Sequence, residues 1–222
     1  KKKNISHFFG KLDIDLNLDE FNSSKFYLNL QKISSDTYLK VFDSNIVNKK
    51  LKPDNFDELK NELRIDLNHK KYTFNSGFRA FENLQKKNSD RYQFVFPYYN
   101  FNTIISEDFF EGFLTLNSSG TNDLKNTNNL RTKVINDLSY KSYDFISNLG
   151  IKNNININLK NLNSLGKNDD EYKSSPQLEL LGDIELQSHL PLIKKTEEYL
   201  NFFTPKLSLR FSPNDMKDYS DS

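Results

Sequence analysis

Three histidines, two closely spaced aspartates and a Ser-Ser-Asp run are the residues of this chain whose types could support catalysis or metal binding. His7, His69 and His189 lie far apart, and none has a second His or a Cys at ligand spacing. Asp13 and Asp15 stand two apart, so on a strand they share one face and could hold a cation. A solvated polar face is the simpler account of them. Ser34-Ser35-Asp36 has no His beside it and none of the glycines of a nucleophile elbow, and the chain has no phosphate loop. The sequence therefore predicts no catalytic residue, no cofactor site and no metal site. The basic residues Lys11, Arg64, Arg79, Arg131, Lys133, Lys206 and Arg210 are more informative. An arginine fork matches the geometry of a phosphate or a carboxylate. Each of the seven shares its strand with acids or amides, so ion pairing across neighbouring strands competes with ligand binding as their role.

These residues sit on stretches that alternate apolar and polar side chains. From Phe8 to Leu18, Phe8, Gly10, Leu12, Ile14, Leu16 and Leu18 share one face and Lys11, Asp13 and Asp15 the other. The same period predicts strands over Lys25–Ile33, Glu58–Asn68, Tyr72–Phe81, Arg91–Asn102, Asp108–Asn117, Leu130–Leu138, Tyr143–Leu159, Gln177–Leu190 and Phe203–Phe211. Residues Thr37–Asp43 read as an ordered loop or a strand extension, and 44–57, Ser118–Asn129 and Asn161–Pro176 as loops. A turn is expected at Gln85–Asp90. Pro97 and Pro205 fall inside strand patterns, where each removes a ladder donor and predicts a bulge or kink. Connections that alternate between short and long are expected of barrels with short turns at one rim and longer loops at the other.

Composition narrows the class. Aromatics make up 14% of the 222 residues, which argues against disorder. Mean hydropathy is −0.74, and no run approaches the roughly 18 apolar residues of a membrane helix. A membrane barrel tolerates such an average, because half of each strand faces a polar lumen. The net charge of +1 gives no general attraction to nucleic acid. Cys is absent, so the segment has no disulfide. A globular strand is usually about 5–6 residues, whereas a tilted membrane strand needs about 9–11. Long two-faced strands therefore point to an all-β, antiparallel transmembrane β-barrel segment of roughly ten meander strands. A soluble sheet with one covered face gives similar alternation. With a charged start at Lys1-Lys2-Lys3 and a polar tail at Asn214–Ser222, the chain reads as an interior portion of a longer protein.

Three stretches carry a family resemblance. Ile33–Asp43 (ISSDTYLKVFD), Asp90–Phe101 (DRYQFVFPYYNF) and the pair Pro191-Leu192 followed by Phe202–Asp215 (FFTPKLSLRFSPND) occur in one order along the chain. In that order they resemble the LPS-assembly outer-membrane protein family, LptD, also called organic solvent tolerance proteins. Pro97, Pro205 and Ser212-Pro213-Asn214 occupy the positions of that family's motifs.

The resemblance implies that residues 1–222 are part of a single outer-membrane β-barrel domain, truncated at both ends, in a Gram-negative bacterium. It implies a role in lipopolysaccharide transport and insertion into the outer leaflet, a conduit rather than an enzyme. Implied partners are lipopolysaccharide, outer-membrane lipid, the plug lipoprotein LptE and periplasmic bridge proteins, with no nucleic acid. On this reading Lys11, Arg64, Arg79, Arg131, Lys133, Lys206 and Arg210 are lumen-facing contacts for lipopolysaccharide phosphates and sugars. Leu12, Ile14, Leu16, Leu63, Ile65, Ile184, Leu186, Leu207 and Leu209 would face lipid. A porin or nutrient-receptor barrel and a soluble β-rich binding module are the other readings the sequence leaves open.

Overall fold

Alternating side chains generate long antiparallel strands. The computed structural model describes residues 6–42 and 50–213. In chain order it contains β1 (His7–Asp15), β2 (Ser23–Ile33), α1 (Tyr38–Phe42), β3 (Glu58–Asn68), β4 (Tyr72–Asn83), β5 (Tyr92–Ser106), β6 (Gly112–Lys125), β7 (Asn129–Ser142), β8 (Phe145–Ile146), β9 (Lys152–Lys167), β10 (Gln177–His189), β11 (Leu192–Lys195), β12 (Leu200–Phe203) and β13 (Lys206–Phe211). A 3-10 turn at Asn88–Arg91 precedes β5. The main sheet runs β1-β2-β3-β4-β5-β6-β7-β9-β10-β13, with β8 paired to β9 and a separate β11-β12 ribbon. Among the described residues, no pairing joins β1 to β13. Several strands are long: β5 has 15 residues and β9 has 16. No described helix is long and apolar enough to cross a membrane, which says nothing about strands.

By contact density the chain divides into two compact units. The first comprises Lys1–Phe101, Ser118–Val134 and Asn163–Gln177, and the second Asn102–Asn117, Ile135–Leu162 and Leu178–Ser222.

In the first unit, register sorts side chains by chemistry. Leu12 pairs with Leu28 and Ile14 with Phe26; these continue to Leu63 and Ile65 on β3 and to Phe78 on β4. Directly opposite residues share a face, so one apolar face spans four strands. On the reverse face Asp13 pairs with Tyr27, Tyr27 with Arg64, Asn29 with Glu62, and Glu62 with Arg79. The apolar face is not a core: Ile14 is 41% exposed, and Leu12, Leu16, Ile65 and Phe78 are exposed as well. Among the described residues, buried aliphatic side chains gather in a small cluster of Ile33, Leu39, Leu59 and Leu84, against which Phe9, Tyr38 and Phe56 pack. Leu39 comes from α1, so that helical turn packs against one end of these strands.

In the second unit Ile184 pairs with Phe211 and Leu186 with Leu209 on one face, and Glu185 pairs with Arg210 on the other. Ile184, Leu186, Leu207 and Leu209 are all exposed.

Six expectations need correction. Within Thr37–Asp43, Tyr38–Phe42 is neither loop nor strand extension but one helical turn, held by burial of Leu39; Asp43 lies outside the described residues. Ser118–Asn129 is not a loop: β6 continues to Lys125, because its polar side chains find partners across the sheet, Tyr99 with Ser118 at 3.1 Å and Gln93 with Asp123 at 3.0 Å. The segment from Asn161 is strand as far as Lys167, with Asn136 donating to Asn161 at 3.2 Å. Tyr143–Leu159 is two strands, broken by a turn where Gly150 adopts φ +78° and its N–H donates to Ser147 O at 2.9 Å. Phe203–Phe211 is likewise divided; Pro205 lies between β12 and β13, and its carbonyl accepts from Leu190 N at 3.1 Å. Finally, connection lengths do not sort by rim: 34–57 is long and 126–128 short, although both are reached on the same side of an antiparallel meander. Within the expected loop 44–57, residues 44–49 lie outside the described residues, as does the polar tail from Asn214.

At Pro97 the alternation slips by one residue. Phe96 meets Phe78 of the apolar face (centroids 5.8 Å apart), yet Tyr98 donates to Glu62 on the charged face at 3.1 Å. A regular strand would put 96 and 98 on the same side. The expected irregularity is therefore present, and it delivers Tyr98 to the face opposite the one that simple parity assigns. The Phe96–Pro97 peptide bond is cis.

Candidate functional site

The densest polar constellation is on the charged face of β3 and β4, around Glu62. Its side chain is only 3% exposed. Lys60 Nζ lies 2.7 Å away, Arg79 Nε 2.9 Å and Arg64 Nη1 3.7 Å, and Tyr98 adds its hydroxyl. Three cations thus converge on one buried carboxylate, which satisfies the requirement that a buried charge be paired and hydrogen-bonded.

Local sequence explains the packing. Lys60, Glu62, Arg64 and Asp66 alternate along β3 and so project to one side. Arg64 Nε donates to Asp66 at 2.7 Å, and Asn75 donates to the same carboxylate. Gly77 stands opposite Arg64, and a Cβ there would overlap the Leu63 carbonyl and crowd the Tyr98 hydroxyl. The missing side chain opens the space through which Tyr98 reaches Glu62. Aromatic faces complete the layer: Arg79 lies 4.0 Å from the Tyr98 ring centroid, and Arg64 and Lys11 lie 4.9 and 5.5 Å from that of Tyr27.

The structure brings Lys11, Arg64 and Arg79 together and leaves the other four basic residues elsewhere. Arg131 on β7 pairs with Asp169 and, at 2.9 Å, with Glu171, and its guanidinium lies 5.4 Å from the Tyr172 ring centroid. Lys133 is half-buried two residues further along the same strand. In the second unit Arg210 reaches Glu185 at 3.3 Å and Asp183 at 3.6 Å, whereas Lys206 stands opposite His189. Ion pairing is thus the observed state of all four arginines: across strands for Arg79 and Arg210, along β3 for Arg64, and to the segment after β9 for Arg131.

No protein-family model matches the chain, and no curated protein matches it. Its chemistry rests on its own geometry. His7 shares a hydrogen bond with the Tyr38 hydroxyl at 2.6 Å and stacks on Phe9, and His69 stacks on Tyr72. Asp15 faces Lys25 at 3.8 Å, and Ser34 Oγ accepts from Ser6 N at 2.7 Å. Among the described residues, no three His, Asp or Glu side chains converge as metal ligands would.

Sequence reasoning missed Glu62, Tyr98 and Arg91. Glu62 shares parity with Arg64, a signal that was available. Tyr98 was hidden by the slip at Pro97. Arg91 bridges two carboxylates, Asp36 at 2.7 Å and Glu82 at 2.8 Å, and so ties the chain entering α1 to the end of β4. The Arg91 hydrogen bond holds the Asp36 carboxyl below the ordinary carboxylate range, and Asp36 in turn raises the guanidinium. Lys40 does the same for Asp57 from α1, at 2.6 Å.

Aromatic groups collect at strand ends. In the first unit Phe21, His69, Tyr72 and Phe101 form a chain of ring contacts around the β3–β4 turn. In the second, Phe109, Phe110 and Tyr140 cluster by the β5–β6 turn, with Phe113 against Tyr143.

Proposed function

We propose that this chain is part of the wall of an outer-membrane β-barrel and takes part in moving lipopolysaccharide to the outer leaflet, in the manner of the LptD family. The observation that carries the membrane part of this reading is the two-faced sheet. Leu12, Ile14, Ile65, Ile184, Leu186, Leu207 and Leu209 lie exposed on apolar faces, while the reverse faces hold ion-paired Glu62, Arg64, Arg79, Glu185 and Arg210. Water makes an uncovered apolar sheet unfavourable, and lipid does not. Ring clusters at the strand ends suit the headgroup boundary, where amphipathic rings are stabilised. Strands of 15 and 16 residues exceed what a hydrocarbon core requires, which lets them rise above it.

The choice of lipopolysaccharide as cargo rests on the ordered motifs around Ile33–Asp43, Asp90–Phe101 and Phe202–Asp215. Arginine and lysine on the inner face then serve phosphate-bearing cargo, and the plug lipoprotein and periplasmic bridge proteins are the expected partners. Conditional depletion of the full-length protein in its own cell tests the reading. The expected result is loss of newly made lipopolysaccharide from the cell surface, read by an externally added modifying enzyme, with small-solute uptake unchanged. Normal lipopolysaccharide display with impaired solute uptake would replace this reading with a porin-type one.

A further inference from the structure

Arg64, Arg79, Arg131 and Arg210 each end on a carboxylate; among the described residues, Lys206 and His189 of the second unit do not. His189 and Lys206 are directly opposite each other on β10 and β13. Across β10, Ser188 Oγ donates to Asn153 Oδ1 at 2.7 Å and Asn158 Nδ2 donates to Asp183 Oδ2 at 3.2 Å. Both contacts obey one antiparallel register, and that register sets Lys152 of β9 beside His189. Lys152, His189 and Lys206 therefore stand in a single row on one face of three adjacent strands.

Two lysines on either side of a histidine in one row attract a negative group placed among them. No ion pair engages any of the three among the described residues. Two acids of the same unit have other partners: Asp144 accepts the Asn154 amide at 3.2 Å, and Glu185 accepts from Ser208 and from Arg210 at 3.3 Å. Beside the row lies a cleft of about 580 Å³ lined by His189, Lys206, Asn154, Gln187, Thr204 and Ser208, among others, and no carboxylate lines it. Amide and hydroxyl donors beneath a pair of basic groups suit an oxyanion that accepts several hydrogen bonds at once.

We propose that this cleft binds a phosphate group, with Lys206 and His189 as direct donors and Lys152 supplying charge from the flank. The proposal deepens the conduit reading, since phosphate is the part of a lipopolysaccharide headgroup that such a row would recognise, and it rests on that reading for the source of the phosphate alone.

The test uses the full-length protein in detergent, titrated calorimetrically with inorganic pyrophosphate, with glucosamine phosphate, and with vesicles containing or lacking phosphatidic acid. Saturable binding of at least one phosphate probe is expected, weakened about tenfold by K152Q/K206Q and by a smaller factor in Lys206→Gln alone. Lys25→Gln, in the other unit, should bind as the parent does. Lys206→Arg should restore most of the affinity, which separates loss of charge from loss of fold. Binding of the free probes indicates a phosphosugar or free phosphate ligand, and binding confined to phosphatidic acid vesicles a lipid headgroup. Absence of saturable binding in every arm, or equal affinity in K152Q/K206Q and parent, would overturn the site. Phosphate binding that persists while depletion leaves lipopolysaccharide display intact would overturn the conduit reading and leave the site standing.

Discussion

Tyr98 and Glu62, 36 positions apart in the chain, meet across the charged face with the Tyr98 hydroxyl 3.1 Å from the carboxylate. Arg79 stacks on the ring of the first and donates to the second at 2.9 Å, so the three form one unit. A hydrogen bond to a charged group contributes about 1.5–3 kcal/mol. Tyr98→Phe is expected to lower stability by an amount near the lower end of that range. In a Glu62→Gln background the same change should cost clearly less, because the charged acceptor is gone. Urea unfolding of the four proteins in detergent, read as a double-mutant cycle, checks the coupling; additive effects would show that the contact carries no energy of its own.

Ile14 and Asp13 are neighbours that face opposite ways. Arg on a lipid face near the midplane costs about 2–4 kcal/mol. Ile14→Arg is therefore expected to impair assembly into membranes far more than Asp13→Asn, which changes a solvated position. Heat-modifiable gel mobility of the full-length protein in membranes measures it, and equal effects would count against lipid at this face.

Pro97 behaves as an extra residue in β5. Phe96 and Tyr98 already face opposite ways, so removing Pro97 leaves regular alternation with each ring on its present side. Deleting Pro97 should be tolerated, whereas deleting Val95 should turn Phe94 and the residues before it to the wrong faces. Comparing folded yield of the two deletions tests this; equal loss would mean that the slip is not located at Pro97.

Acid should loosen the α1 connection first. Asp36 is held low by Arg91, and Asp57 by Lys40. A carboxyl whose folded pKa lies below its unfolded value stabilises the fold above the unfolded value, about 4, and loses that contribution as pH falls through the folded one. Hydrogen exchange at Leu39 and Lys40 should accelerate, beyond the intrinsic pH effect, as pH drops below about 4. In Asp36→Asn and Asp57→Asn variants this pH-linked loosening should shrink, because less protection remains to be lost.

What the sequence determined alone is what depends on a single strand. Alternation at Phe8–Leu18, Glu58–Asn68 and Gln177–Leu190 is a local property of extended backbone, so strand identity and the chemistry of each face follow without neighbours. Exposure of Ile14 and Leu209 does not follow from that pattern, because a sheet with one covered face alternates in the same way. Tertiary structure decided whatever needed a partner. The polar run from Ser118 to Lys125 reads as loop in isolation and is strand because Tyr99 and Gln93 supply its hydrogen bonds. Tyr38–Phe42 became a helical turn because a pocket beside Leu59 takes Leu39. Arg79 and Arg210 carry the same charge as Lys206, and only register, by setting Glu62 and Glu185 opposite the arginines and His189 opposite the lysine, separates these paired cations from Lys206.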